Sequence, residues 1–248
     1  MISISAFKAF PQIPELALQN GINLEFSGLV ERTHYPDDYL QTVRESKYLS
    51  LYNSAHGPFF DLIPPSSDSE VSELAKNKFI RAIDACNNLG IKNLILHNGW
   101  IPSFYSNSKW IDNSLKFWNS ILDYSKESLV IHLENVMETE PLLIKEIITG
   151  INSSFFKACL DVGHVNVFSN IKITQWIQEL NSSINHVHLH NNYGIEDNHN
   201  GLTAGNINIE NIYKEIRNTC GNITINLEVR SDIEKSVEMV KEFEEKMA

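Results

Sequence analysis

The chain has 248 residues, 42% apolar and 21% charged, ordinary proportions for a globular protein and unlike those of disordered, fibrous or collagen-like chains. Its 20 Lys and Arg against 31 Asp and Glu leave a net charge of −11, which disfavours non-specific adhesion to nucleic acid or anionic lipid, although a local basic patch can coexist with it. No apolar run approaches the roughly 18 residues of a membrane span, and MISISAFKAF lacks the basic start and long apolar core of a signal peptide. Cys86, Cys159 and Cys220 are scattered and odd in number, which argues against a disulfide framework and a cysteine zinc site. The expected setting is the cytoplasm, with no membrane association.

Short β-branched runs alternate with helical patterns along the whole chain. Strands are expected within 2–7, 22–28, 49–56, 93–99, 129–136, 155–164, 184–190 and 223–229. Between them, Ser67-x-x-Glu70 and Ser231-x-x-Glu234 have the spacing of helix capping boxes. After the first, Val71, Leu74, Ala75, Phe79, Ala82, Ile83 and Cys86 recur at helical spacing. Ile233, Val237, Val240, Phe243 and Met247 do so after the second, and Ile111, Leu115, Trp118 and Leu122 in mid-chain. The mixed charges of the last fifteen residues suit a solvated helix face. Alternating strand and helix predicts a parallel α/β sheet. Eight repeats of about 31 residues, with no linker or composition shift, predict a single (β/α)8 TIM barrel domain over 1–248. A doubly wound open sheet is the alternative, but G-x-G-x-x-G, G-x-x-x-x-G-K-[ST] and G-x-S-x-G are all absent.

A parallel barrel gathers its chemistry at the C-terminal ends of its strands. Those ends carry His56, His97, Glu134, Asp161 with His164, His188 with His190, and Glu228; the loop after the seventh strand adds Asp197 and His199. Alternation turns Ile131, Leu133, Val187, Leu189, Ile225, Leu227 and Val229 outward, leaving His132, Glu134, His186, His188, His190, Asn226 and Glu228 inward. Four carboxylates crowded together without cations would push some of their pKa values upward. Divalent metal relieves this, and the donor types suit zinc or manganese. One such ion half-neutralises the four acids and suits a neutral polyol; three over-compensate them and attract phosphate.

Blander roles are expected nearby. His34, between Thr33 and Tyr35, reads as surface, and His132 and His186 as hydrogen-bonding support below the mouth. His190 is either such support or a substrate contact, and Glu25 is a candidate substrate contact at the end of the second strand. Phe59, Phe60 and Trp100 either wall a substrate pocket or pack between loops.

At HGPFFDL (56–62), LILHNG (94–99), HLENV (132–136), CLDVGHVNVF (159–168), HVHLHNN (186–192), EDNH (196–199) and NLEV (226–229) the sequence resembles the xylose isomerase-like barrel superfamily. That superfamily includes sugar phosphate isomerases/epimerases and the endonuclease IV type of apurinic endonucleases. The resemblance implies one to three divalent ions per chain. A first would take His56, His97 and Glu134; a second Glu134, Asp161, His188 and Glu228; a third His164, Asp197 and His199. In single-metal epimerases only the second set binds, and its two glutamates double as acid and base. The loop NNYGIEDNHNGLTAGNIN is close to the short loop of the sugar-isomerase branch and lacks the Ser-Lys-rich stretch of the DNA-handling members. ENVMETEP lacks their small Gly-rich continuation, and GLTAGN departs from the Leu-Gly-Glu-Gly pattern of both branches.

The resemblance therefore implies a metal-dependent isomerase/epimerase of a small sugar or sugar phosphate, with Glu134 and Glu228 transferring the proton. The alternative is endonuclease IV-like hydrolysis at abasic sites, with DNA as the partner, and a third reading is a sugar-binding regulator without turnover. Assembly into a homo-oligomer stays open. Arg230, just beyond Glu228, reads as a rim salt bridge or a phosphate contact.

Overall fold

The structure, a computed structural model, describes residues 1–30 and 34–247. All eight expected strands form: β1 (Ile2–Ser5), β2 (Asn23–Phe26), β3 (Tyr52–His56), β4 (Asn93–His97), β5 (Val130–Glu134), β6 (Phe156–Asp161), β7 (Ile184–Leu189) and β8 (Thr224–Leu227). They close into one parallel barrel in chain order, β8 returning to β1 through the pair Ile4 and Leu227. The crossovers are α1 (Ile13–Asn20), α2 (Asp37–Arg44), α3 (Ser69–Leu89), α4 (Asn107–Ser125), α5 (Leu142–Ile151), α6 (Val162–Phe168) with α7 (Ile173–Leu180), α8 (Ile209–Cys220) and α9 (Ile233–Met247). Among the described residues no helix is long and apolar enough to cross a membrane.

Strand alternation divides the molecule into two shells. Outward residues such as Leu94, Leu96, Ile131, Leu133, Val187 and Leu227 pack with Phe79, Trp118, Ile144 and Trp176 of the helices in one continuous apolar layer. The inner face below the mouth is instead polar. Ser3, Ser5, Glu25, Ser54, His132, His186 and Asn226 are all buried there, where barrels more often carry branched apolar side chains.

Two bulges adjust this alternation. Between β6 and β7, Ala158 pairs with Ile184 and Cys159 with His186, so exposed Asn185 is the extra residue. Ile184 therefore stays in the outer apolar layer while His186 and His188 turn inward. Between β2 and β3, Leu24 pairs with Tyr52 and Glu25 with Ser54. A bulge re-aims the side chains beyond it, and each of these serves a site residue.

The helix starts differ in detail from the capping boxes. Asp68, not Ser67, caps α3, its carboxylate accepting from the N–H of Glu70 (2.9 Å) and Val71 (3.4 Å). Ser231 Oγ accepts from Gly201 N–H at 2.9 Å, tying the β7–α8 loop to the end of β8. On α3, Ala75, Phe79, Ala82, Ile83 and Cys86 are buried as expected, whereas Leu74 faces solvent; Met247, at the end of α9, is exposed too. His34 is exposed, 3.4 Å from Arg81, and Thr33 beside it lies outside the described residues.

Candidate metal centre

The strand ends deliver the expected donors to one place. His188 Nδ1, at the end of β7, lies 3.3 Å from Glu134 Oε1, 3.2 Å from Glu228 Oε2 and 3.8 Å from Asp161 Oδ2. Donor atoms of Glu134, Asp161, His188 and Glu228 all fall within 4.8 Å of one another. His164 Nε2 and His199 Nε2 stand 3.2 Å and 3.0 Å from Asp197 Oδ2, which assembles the expected third set. The first set is looser. His56 and His97 each approach Glu134 Oε2 at 3.2 Å, but the compact group around this edge contains His56, Glu134 and His188.

Local structure explains the placement. Asp161 ends β6 and caps α6, accepting the N–H of His164, which orients that imidazole one turn into the mouth. Asn135 straps β5 to β6: its amide donates to the Asp161 carbonyl (3.0 Å) and accepts the Asp161 N–H (2.9 Å). His164 Nδ1 is held 2.9 Å from the Asn135 carbonyl, and His199 Nδ1 2.9 Å from that of Glu228. In both rings the Nδ1–H is thereby donated to backbone and Nε2 is turned toward Asp197 Oδ2. A side chain at Gly163 would overlap the His190 ring, so glycine is needed for that ring to lie against α6.

Several short contacts are not hydrogen bonds. His97 Nε2, Asp161 Oδ2, His188 Nδ1 and Asp197 Oδ1 are buried without a hydrogen-bond partner. Leaving such atoms unsatisfied costs about 1–3 kcal/mol each. Lone pairs converging at 3.2–3.8 Å are what a bound cation would satisfy. Nitrogen and oxygen ligands at about 2.0–2.2 Å in a tetrahedron sit about 3.2–3.6 Å apart. The donor set fits a divalent metal.

The electrostatics differ from the expected raised carboxylates. Burial opposes the charge on Glu134 and Glu228, yet His188 outweighs it, with His97 helping on Glu134 and His199 on Glu228. The Glu134 carboxyl is held well below its usual range and that of Glu228 falls to about 2. Asp197 is lowered likewise by His164 and His199 against its burial. The proton affinity moves to the rings: despite burial, Glu228 and Asp197 raise His199 to about 9, and Asp161 with Asp197 raises His164 well above its usual value. Histidines interleaved between the acids do this, a pairing that one-dimensional counting of carboxylates misses. Metal binding would have to displace those protons.

The remaining candidates divide. His190, fully buried, points Nε2 at Asp161 Oδ1 (3.2 Å) and stacks on His199, so it braces both side chains. His132 lies a layer lower, bonded to Asn93. Glu25 is also below the mouth, surrounded by Ser5, Ser54, Asn226, His186 and His188, and is not placed to meet a substrate. Trp100 packs with Trp110 and Leu143 in a separate apolar cluster. Phe59 stacks on His97 and meets His56 edge-on, walling the His56–His97 side. Arg230 lies over the Phe7 ring rather than in a salt bridge.

The family model described as xylose isomerase-like TIM barrel matches residues 20–245. The chain belongs to the xylose isomerase-like TIM barrel family. Within it, an uncharacterized protein of Methanocaldococcus jannaschii is 29% identical over 229 residues, covering 86% of this chain and 78% of the relative. A D-tagatose 3-epimerase-like protein superposes with a TM-score of 0.83 at 26% identity, covering 100% of this chain and 99% of that one. A protein from Thermus thermophilus, crystallised with a ZnCl2 soak, shares the fold with a TM-score of 0.79 at 21% identity, over 98% and 97% of the two chains.

Two members of this xylose isomerase-like site escaped the sequence reading. Asn135 was visible as a polar strand end, but its two-way bond to Asp161 depends on neighbouring strands. Glu138, in the β5–α5 loop, is buried, and burial lifts its carboxyl to about 7 while its bond from Val136 N–H (2.7 Å) pulls the other way. A single acid in a polar turn carries no such signal.

Proposed function

We propose that this chain is a metal-dependent isomerase or epimerase acting on a sugar or sugar phosphate, with Glu134 and Glu228 as the proton-transferring pair. The observation that carries this reading is the pair of buried, ionised carboxylates converging on His188 Nδ1 at 3.3 and 3.2 Å. Membership of the family and likeness to a D-tagatose 3-epimerase-like protein support it.

Glu134, Asp161, His188 and Glu228 would hold a zinc or manganese ion. Such an ion supplies Lewis acidity that stabilises negative charge growing on a carbonyl oxygen. Glu134 and Glu228 come from well-separated strands, β5 and β8, so they flank a substrate from different sides. One carboxylate removes the proton beside the carbonyl and the other delivers a proton to the carbon. Asp161 and His188 keep their geometry through Asn135 and the β7 bulge. Phe59 covers His56 and His97, keeping water from that side.

A second reading, hydrolysis at abasic sites in DNA, draws on the assembled His164–Asp197–His199 set. The net charge of −11 weighs against it. Elemental analysis of protein purified without chelator or metal-affinity tag separates the two. About one metal per chain with turnover on a ketose and aldose panel is expected. Two or three zinc ions with cleavage of abasic DNA and no sugar turnover would overturn the isomerase reading. We place the reaction in the cytoplasm, where all three cysteines would remain free.

A further inference from the structure

We propose that Glu25 is a positioning residue: it accepts the Nε2–H of His188 and so turns the Nδ1 lone pair of that ring toward Glu134, Asp161 and Glu228. The inference rests on the preceding assignment of those residues to a divalent metal, and adds a residue outside the ligand set.

Glu25 lies at the barrel axis, 1% exposed, and meets donors from four strands. Ser5 Oγ of β1 (3.2 Å) and Asn226 Nδ2 of β8 (3.1 Å) donate to Oε1, and Ser54 Oγ of β3 (3.0 Å) to Oε2. From β7, His188 Nε2 is hydrogen-bonded to Oε2 at 3.4 Å and lies 3.2 Å from Oε1, while His186 Nε2 stands 3.1 Å from Oε2 without hydrogen-bond geometry. Ser5, Ser54 and Asn226 all donate to this carboxylate and His188 Nε2 faces it, an arrangement that satisfies a buried anion accepting on both oxygens.

The consequence for His188 is geometric. An imidazole has two ring nitrogens, and the hydrogen bond made by one decides which proton and lone pair the other presents. With the Nε2–H committed to Glu25, Nδ1 is the nitrogen left to present a lone pair to a metal, and it is the atom without a hydrogen-bond partner among three carboxylates. Two irregularities of the sheet serve this one contact. The β2–β3 bulge sets Ser54 against Glu25, and the β6–β7 bulge turns His186 and His188 inward. A carboxylate below a ligating histidine also increases its donor strength.

The test is zinc affinity, measured on the purified chain by competition with a chromophoric chelator. Glu25→Gln places an amide N–H2 among these four hydrogen-bonding groups and removes the charge; zinc should bind about 10–100-fold more weakly at unchanged stoichiometry. Glu25→Asp, which restores the charge on a shorter arm, should recover part of that loss. A purely structural role would lower the melting temperature of both variants and leave zinc affinity alone, and that result overturns the proposal. Should Glu25→Gln fail to fold, the zinc-loaded wild type decides through its 15N-resolved imidazole spectrum. A slowly exchanging Nε2–H on His188 is expected; zinc on Nε2, or a freely exchanging ring N–H, overturns the proposal. Wild-type protein that takes up no zinc or manganese overturns the metal assignment as well, whereas equal zinc affinity in wild type and Glu25→Gln overturns only the role of Glu25.

Discussion

At the scale of single residues, chemistry and burial can be separated by near-isosteric substitutions. Glu228→Gln keeps shape and removes the carboxylate that would exchange a proton, so turnover should fall by about 10²–10⁴-fold while the barrel still folds. Residual activity close to wild type would remove Glu228 from proton transfer. Glu138 offers the opposite case, a buried acid that folding prefers neutral. Its folded pKa of about 7 lies above its ordinary 4.5, so its contribution to stability is full below about 4.5 and is lost as pH rises through 7. Glu138→Gln should therefore stabilise the protein at pH 8, by roughly 1–3 kcal/mol, and do little at pH 4.5. Denaturant titrations at the two pH values check this, and equal effects at both would contradict it.

At the scale of elements, helix starts show how one residue of offset changes a cap. Ser67-x-x-Glu70 has the right spacing, but Asp68 is the residue that stands in extended conformation before Ser69 with its carboxylate on the first free N–H groups. Asp68→Ala should cost about 1 kcal/mol. Ser67→Ala should be near neutral, and reversed effects in thermal melts would restore Ser67 as the cap. The strands themselves follow the alternation of β-branched and polar residues closely, because each is buried on its outer face by helices and on its inner face by polar partners. Only where an extra residue enters, at Asn53 and Asn185, does parity fail, and Ile184 stays with the outer layer while His186 turns inward.

At the scale of the whole molecule, the same acids and imidazoles that would bind metal set the pH response of the metal-free protein. His199, raised from 6.5 to about 9, contributes stability that is full below 6.5 and disappears as pH rises through 9. Glu228, lowered from 4.5 to about 2, contributes above 4.5 and loses its contribution as pH falls through 2. Chelator-treated protein should therefore be most stable close to pH 4.5, where the Glu138 loss begins, and the His199 loss should lower its melting temperature further from 6.5 to 9. Metal needs those ligands deprotonated, so loaded protein should gain rather than lose melting temperature across that range. Calorimetry with and without chelator reads the difference; coincident profiles would remove metal from this site.

The barrel and the end that gathers its buried histidines and acids were legible along the chain, because eight periods of strand and helix admit few closed arrangements and a parallel barrel assigns its chemistry to one face. Residue types at strand ends, from His56 to Glu228, needed no more than alternation to be turned inward. What tertiary structure decided were relations between strands: Glu25 beneath His188 rather than at the mouth, Asn135 strapped to Asp161, His188 rather than His97 completing the compact group with His56 and Glu134, and Trp100 drawn into its own apolar cluster. Each depends on register and bulges, which shift a side chain by one position or one layer. Such shifts leave no trace in the periodicity of a single strand, since the energy that selects them comes from partners one strand or more away.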